Sequence, residues 1–241
     1  MRDITVVLSG FKRYHLLQQQ YDAVMSQSIK PAKVVVWHNA SGQAPHLIDG
    51  PVHIVNNENT GVWSRFFYCL NNTTEFTCVL DDDCVPAPGW LENCLDTYDK
   101  HHCMVGGAGF YFHQPNVIYT DVHTRSNYGH DKPFRQSVAK RADVSGHAWF
   151  FRTEWLKYFV QDMPNLRVYN TCGEDMHFNF VLQRAGIHTY IAPQNDGNTC
   201  CIFEDAGGSH EATFRLPGQL TKMNECFDAQ RARAWKLICE E

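Results

Sequence analysis

Three consecutive carboxylates, Asp81-Asp82-Asp83, follow directly on the apolar run Phe76 to Leu80. Like charges repel, so a turn built for stability alone gains nothing from three of them. Hard divalent cations take oxygen ligands. With Asp81 and Asp83 two residues apart beyond a strand, one can face a nucleotide while the other reaches a Mg²⁺ or Mn²⁺ ion at about 2.1 Å. A second acidic pair, Glu174-Asp175, follows Gly173. It falls at a predicted helix start, where carboxylates also suit the helix dipole and can serve as caps.

The elements that must position these groups alternate between strand and helix. Ile4 to Leu8 is a β-branched apolar run ended by Ser9-Gly10, and Tyr14 to Gln27 carries Leu16, Leu17, Tyr21, Val24 and Met25 at helical spacing. Lys33 to Trp37 and Val52 to Val55 are further strands, a helix begins near Gly61, and Phe76 to Leu80 is a buried strand that runs into the aspartates. This order predicts an α/β fold with a mostly parallel central sheet and right-handed crossovers. Ligands of such sheets gather beyond the carboxyl ends of the strands, where the aspartates stand.

Met104 to Val122, rich in Gly and aromatics, is expected to be irregular or a hairpin across the front of the sheet. Val144 to Arg152 is a strand interrupted at Gly146-His147. Glu174 to Ala185 is a helix capped by Gly186, His188 to Ala192 the last strand, Asp196 to Pro217 a Gly-rich loop, and Lys222 to Cys239 a final helix. Residues 1–195 are taken as one catalytic domain, with 196–241 a loop and helix packed on it.

The 241 residues carry a net charge of −5 with no basic stripe, which argues against a nucleic-acid partner. No apolar run reaches the roughly 18 residues of a membrane span, so the expected location is cytoplasmic, at most peripheral to a membrane. Ten cysteines, most of them inside apparent strands and helices (Cys69, Cys78, Cys94, Cys172, Cys226, Cys239), fit reduced thiols better than a disulfide framework. His101-His102-Cys103 lacks the spaced partners of a zinc site.

Three segments together resemble the inverting GT-A glycosyltransferases of family 2, over roughly residues 4 to 192. They are Asn59-Thr60-Gly61-Val62-Trp63-Ser64-Arg65, then Val79-Leu80-Asp81-Asp82-Asp83-Cys84-Val85-Pro86 with Gly89-Trp90-Leu91, and Gly173-Glu174-Asp175. The resemblance implies a GT-A fold, a nucleoside-diphosphate sugar as donor, a carbohydrate or glycoconjugate hydroxyl as acceptor, and Mn²⁺ or Mg²⁺. By it Asp83 and Asp81 hold the metal, Asp81 and Asp82 meet the nucleotide, Asp175 is the catalytic base, and Glu174 orients the acceptor or a neighbouring group. Asn59 and Arg65 are implied at the nucleotide, as are Ser9, Phe11 and Arg13 of the first loop. Phe11 could stack on the base; Arg13 could approach the diphosphate or simply pair with a nearby carboxylate. Where the family usually shows an Asp after the second strand, this chain has Trp37-His38-Asn39, and Asn39 can still hydrogen-bond a base.

Some GT-A enzymes complete the metal shell with a late His, which here would be His210 in Gly207-Gly208-Ser209-His210. Trp63 and Trp149 are the tryptophans to test for stacking on an acceptor. A retaining GT-A transferase shares the acidic motif, and a nucleotidyltransferase would need a richer glycine loop than Ser9-Gly10-Phe11. A non-catalytic carbohydrate-binding domain leaves the three aspartates without a purpose.

Overall fold

The first strand, β1 (Ile4–Gly10), is buried along its whole length. A 3-10 turn over Tyr14–Leu16 leads into α1 (Leu17–Met25), followed by β2 (Lys33–His38), β3 (Val52–Val55), α2 (Ser64–Cys69) and β4 (Phe76–Leu80). These strands pair in parallel in the order β3-β2-β1-β4. Strands covered on both faces need apolar residues at successive positions, and the runs in β1 and β4 supply them. The computed structural model describes residues 2–113, 121, 123, 125–129, 134–202 and 217–238. His210 and its flanking glycines lie outside them.

Beyond the acidic turn come β5 (Cys84–Pro86), α3 (Trp90–His101), β6 (Met104–Phe112), β7 (Arg125–Tyr128), β8 (Lys140–Ala142) and β9 (Val144–Arg152). The chain then forms α4 (Leu156–Phe159), α5 (Leu166–Tyr169), α6 (Glu174–Arg184), β10 (Thr189–Ile191), β11 (Cys200–Ile202) and α7 (Gln219–Ile238). Here the sheet becomes mixed. β9 inserts between β4 and β6, antiparallel to both, and β10 pairs in parallel with β6. As a result, the early residues of β9 lie beside the end of β4, where the aspartates begin.

Two expectations gain detail from the structure. The first part of the segment expected to be irregular or a hairpin, Met104–Phe112, is a nine-residue strand inside the sheet that pairs antiparallel with β7 and carries a register shift between Gly106 and Ala108. Its glycines conceal the period but serve close packing: a β-carbon on Gly106 would press on the Ser145 side chain, and one on Gly109 on the Val144 carbonyl. Within the stretch expected to be loop, β11 pairs antiparallel with β5, so the acidic turn is followed by a small two-stranded ribbon.

The core beneath the site is aromatic. Phe66 meets Trp149 and Phe178 edge to face and also contacts Phe159, the geometry that ring quadrupoles favour. Trp63 is 1% exposed and its indole N–H donates to the Tyr169 and Cys172 carbonyls, so it is a core side chain rather than an acceptor platform. Phe227 of α7 packs on Phe112 and Phe180. Cys69, Cys78, Cys84, Cys94, Cys103, Cys172, Cys200 and Cys226 are free and buried. No described helix is long and apolar enough to cross a membrane.

Candidate functional site

β4 ends at Leu80 and the acidic turn begins at once, with its backbone held from two sides. The Asp81 N–H donates to the His147 carbonyl of β9 at 2.9 Å. From α1, the Gln20 side-chain amide donates to the Asp81 and Cys84 carbonyls at 2.6 and 2.7 Å. Gln20 is 1% exposed. Sequence reasoning missed it, although a polar residue in line with Leu16, Leu17 and Val24 on a buried helix face is a usable signal.

Two guanidinium groups face the three carboxylates. Arg13 Nη2 donates to Asp82 Oδ1 at 2.6 Å and lies 3.2 Å from Asp83 Oδ2. The carboxylate-pairing alternative for Arg13 is therefore present, while its buried Nε and Nη1 have no hydrogen-bond partner. Arg65, in the first turn of α2, donates to Ser9 Oγ at 2.9 Å, to Asp81 Oδ1, and to Glu174 Oε1 at 2.9 Å. One buried cation thus joins the end of β1, the end of β4 and the start of α6. Burial alone would make that charge costly, and the Asp81 carboxylate, with the acceptors on Ser9 and Glu174, offsets the cost.

Gly173 precedes α6 with φ 86°, and a β-carbon there would press on Cys226 Sγ of α7. Gln230 of α7 donates to the Gly173 carbonyl at 3.3 Å. The final helix thus sets the entry of the chain into Glu174-Asp175. Asp175 Oδ1 accepts from the Met176 N–H at 2.7 Å, a bond that fits a helix-start role. The same residue lines the crevice. Burial pushes Asp175 up to about 6, against the pull of that N–H. It pushes Glu174 up to about 8, aided by the neighbouring Asp175 charge and opposed by Arg65. Asp82 is likewise pushed up by burial to about 7, opposed by Arg13.

These groups open on one crevice of about 870 Å³, a size that suits a small molecule. Ser9, Phe11 and Arg13 come from the end of β1 and its loop, Asn39 and Asn59 from the loops after β2 and β3. Arg65, the three aspartates, Glu174 and Asp175 complete the set expected from sequence within the described residues. Asn39 is fully engaged. Its Nδ2 donates to Asn59 Oδ1 at 2.9 Å and to the Gly61 carbonyl, and its Oδ1 accepts from the Thr60 N–H. It clamps two loops together. Trp149 lies on the crevice floor at 1% exposure, with the Arg65 guanidinium over its ring.

Sequence reasoning also missed His147 and the α7 side chains Gln219, Leu220 and Met223, all of which line the crevice. Asp83, Cys84 and His147 offer ligand atoms that lie within 4.8 Å of one another. Asp83 Oδ2 faces Arg13, whereas Oδ1 lies 3.7 Å from Cys84 Sγ. The one carboxylate of this set fits a hard divalent cation, and the imidazole fits a transition metal.

Residues 2–199 match the family described as glycosyltransferase like family 2. The chain belongs to this family. Both acidic motifs lie inside the matched segment and α7 lies beyond it. The chain is also similar to a glucosyl-dolichyl phosphate glucuronosyltransferase of Haloferax volcanii, 25% identical over 114 residues. That match covers 44% of this chain and 36% of the relative. For a family 2-like glycosyltransferase domain, the mixed sheet with the acidic turn at the end of β4 is the expected α/β architecture.

Proposed function

We propose that this family 2-like domain transfers a sugar from a nucleoside-diphosphate donor to an acceptor hydroxyl, with inversion at the anomeric carbon. One observation carries the reading: Asp175 and the Asp81-Asp82-Asp83 turn open on the same crevice, tied to each other through Arg65 and Glu174. The acceptor oxygen attacks the anomeric carbon as the bond to the diphosphate oxygen breaks, and Asp175 takes the hydroxyl proton. A carboxylate raised to about 6 by burial is still ionised near neutral pH and is a better proton acceptor than an ordinary one.

Asp83, with Asp81 beside it, would hold a divalent cation that supplies positive charge to the leaving diphosphate when bound. Arg13 would meet phosphate oxygens, a reading supported by its two unpartnered nitrogens. Phe11, which lines the crevice, would meet the base, while Asn39 and Asn59 shape that end of the crevice through their loop clamp. The acceptor is a carbohydrate or glycoconjugate. Buried free thiols support a reducing, cytoplasmic setting.

Calorimetric titration of UDP and GDP, with and without Mn²⁺, tests the donor side. We expect Mn²⁺-dependent binding of at least one, weakened about tenfold or more by Asp83→Asn with the fold retained. Equal affinity in the variant removes Asp83 from the site. NMR of the product anomer tests inversion, and a retained configuration selects the retaining alternative.

A further inference from the structure

His147 stands in β9 with φ 68°, the left-handed region that non-glycine residues rarely occupy. Such strain persists where the surrounding structure enforces it, and it gathers at functional sites. Two bonds enforce it here. The His147 carbonyl accepts from the Asp81 N–H at 2.9 Å and from the Cys84 thiol at 3.0 Å.

The side chain is consequently held on the crevice side, at the mouth of the acidic turn. Its Nδ1 is buried, has no hydrogen-bond partner, and lies 3.9 Å from Asp81 Oδ2. A buried polar atom without a partner is costly unless something fills the gap. Of the three clustered donors, Cys84 carries a soft sulfur and already donates its proton to the His147 carbonyl at 3.0 Å. It is therefore a poor ligand for a hard cation. The remaining donors are the Asp83 carboxylate and an imidazole nitrogen.

We propose that His147 is a metal ligand of this domain, binding the cation jointly with Asp83 and setting its preference for Mn²⁺ over Mg²⁺. Imidazole suits first-row transition metals, whereas Mg²⁺ holds to oxygen and water. Arg13 need not leave for this to happen, since it faces the other oxygen of Asp83. The inference rests on the metal-dependent reading above and adds to it the identity of the nitrogen donor.

The test uses Mn²⁺ alone with the full chain, read by electron paramagnetic resonance. Continuous-wave spectra give the bound fraction, and pulsed spectra report nitrogen directly coordinated to manganese. Wild type should show ligand-nitrogen modulation. It should vanish in His147→Asn, a replacement that tolerates the left-handed backbone, and persist in His210→Ala. Competition with Mg²⁺ should show the Mn²⁺ preference falling about tenfold in His147→Asn.

Unchanged nitrogen modulation and selectivity in a folded His147→Asn overturns the inference. If Asp83→Asn still loses Mn²⁺ in that case, the broader metal reading stands. If wild type binds no Mn²⁺, or Asp83→Asn binds it as wild type does, both fall. Should the melting curve of His147→Asn show a loss of fold, His147→Gly keeps the backbone conformation and removes the ring, and the same two readouts apply.

Discussion

Arg65 Nη2 donates to Glu174 Oε1 at 2.9 Å and so joins two residues 109 positions apart in the chain. The same guanidinium holds Asp81. The two acidic motifs are therefore one electrostatic unit, and a change at either is felt by the other. The guanidinium gives both motifs a shared donor, and the proton that burial keeps on Glu174 relieves the repulsion between them.

Asp175→Asn separates base from cap. The amide oxygen can still accept from the Met176 N–H, so the start of α6 should survive. Turnover should fall about 10²-fold or more while nucleotide affinity stays close to wild type. Steady-state kinetics beside calorimetry reads both. In wild type, kcat/KM should decline as pH drops through about 6, because the base works as its anion. A variant within about threefold of wild type would leave Asp175 as a helix cap.

Glu174 links stability to pH. Its folded value is raised from 4.5 to about 8. Between those values the folded state holds a proton that the unfolded state has released, so this group's contribution to stability falls as pH rises through that window. Melting temperatures of the protein in chelator, taken from pH 5 to 8, should fall more in wild type than in Glu174→Gln, which has no proton to lose. Parallel curves for the two proteins would contradict the burial of an ionisable Glu174.

Gln20→Leu removes a buried amide that serves two carbonyls of the acidic turn. Leaving them without a donor should cost about 2 kcal/mol in urea unfolding. The same variant should weaken Mn²⁺ binding, because the turn that presents Asp83 loses its brace. A change below about 0.5 kcal/mol would mean that the turn is held by β9 alone.

Much of this arrangement is legible in the residues themselves. The apolar run Phe76 to Leu80 marks β4 as buried, and a buried parallel strand delivers the residues after it to the ligand end of the sheet. Gly173 before a helical run marks the start of α6. Strand direction is not legible, because an apolar run has the same pattern read either way, and so the antiparallel seat of β9 stays hidden. His147 stays hidden with it, since its place beside Asp81 depends on that direction. The glycines of β6 erase the alternation that would mark a strand. β5 and β11, at three residues each, are shorter than any periodicity can reveal.

The seat of β9 also bears on how the molecule comes together. Arg13 and Arg65 both precede the aspartates, so during synthesis their positive partners are already available when residues 81–83 emerge. β9 must then be drawn back between β4 and β6, across about 70 and 40 residues of chain, and such distant pairings form slowly. Glu174 comes after β9 in the chain, so its bond to Arg65 cannot form until residue 174 has emerged. A chain stalled before residue 174 thus carries the acidic turn without the other half of its hydrogen-bond network.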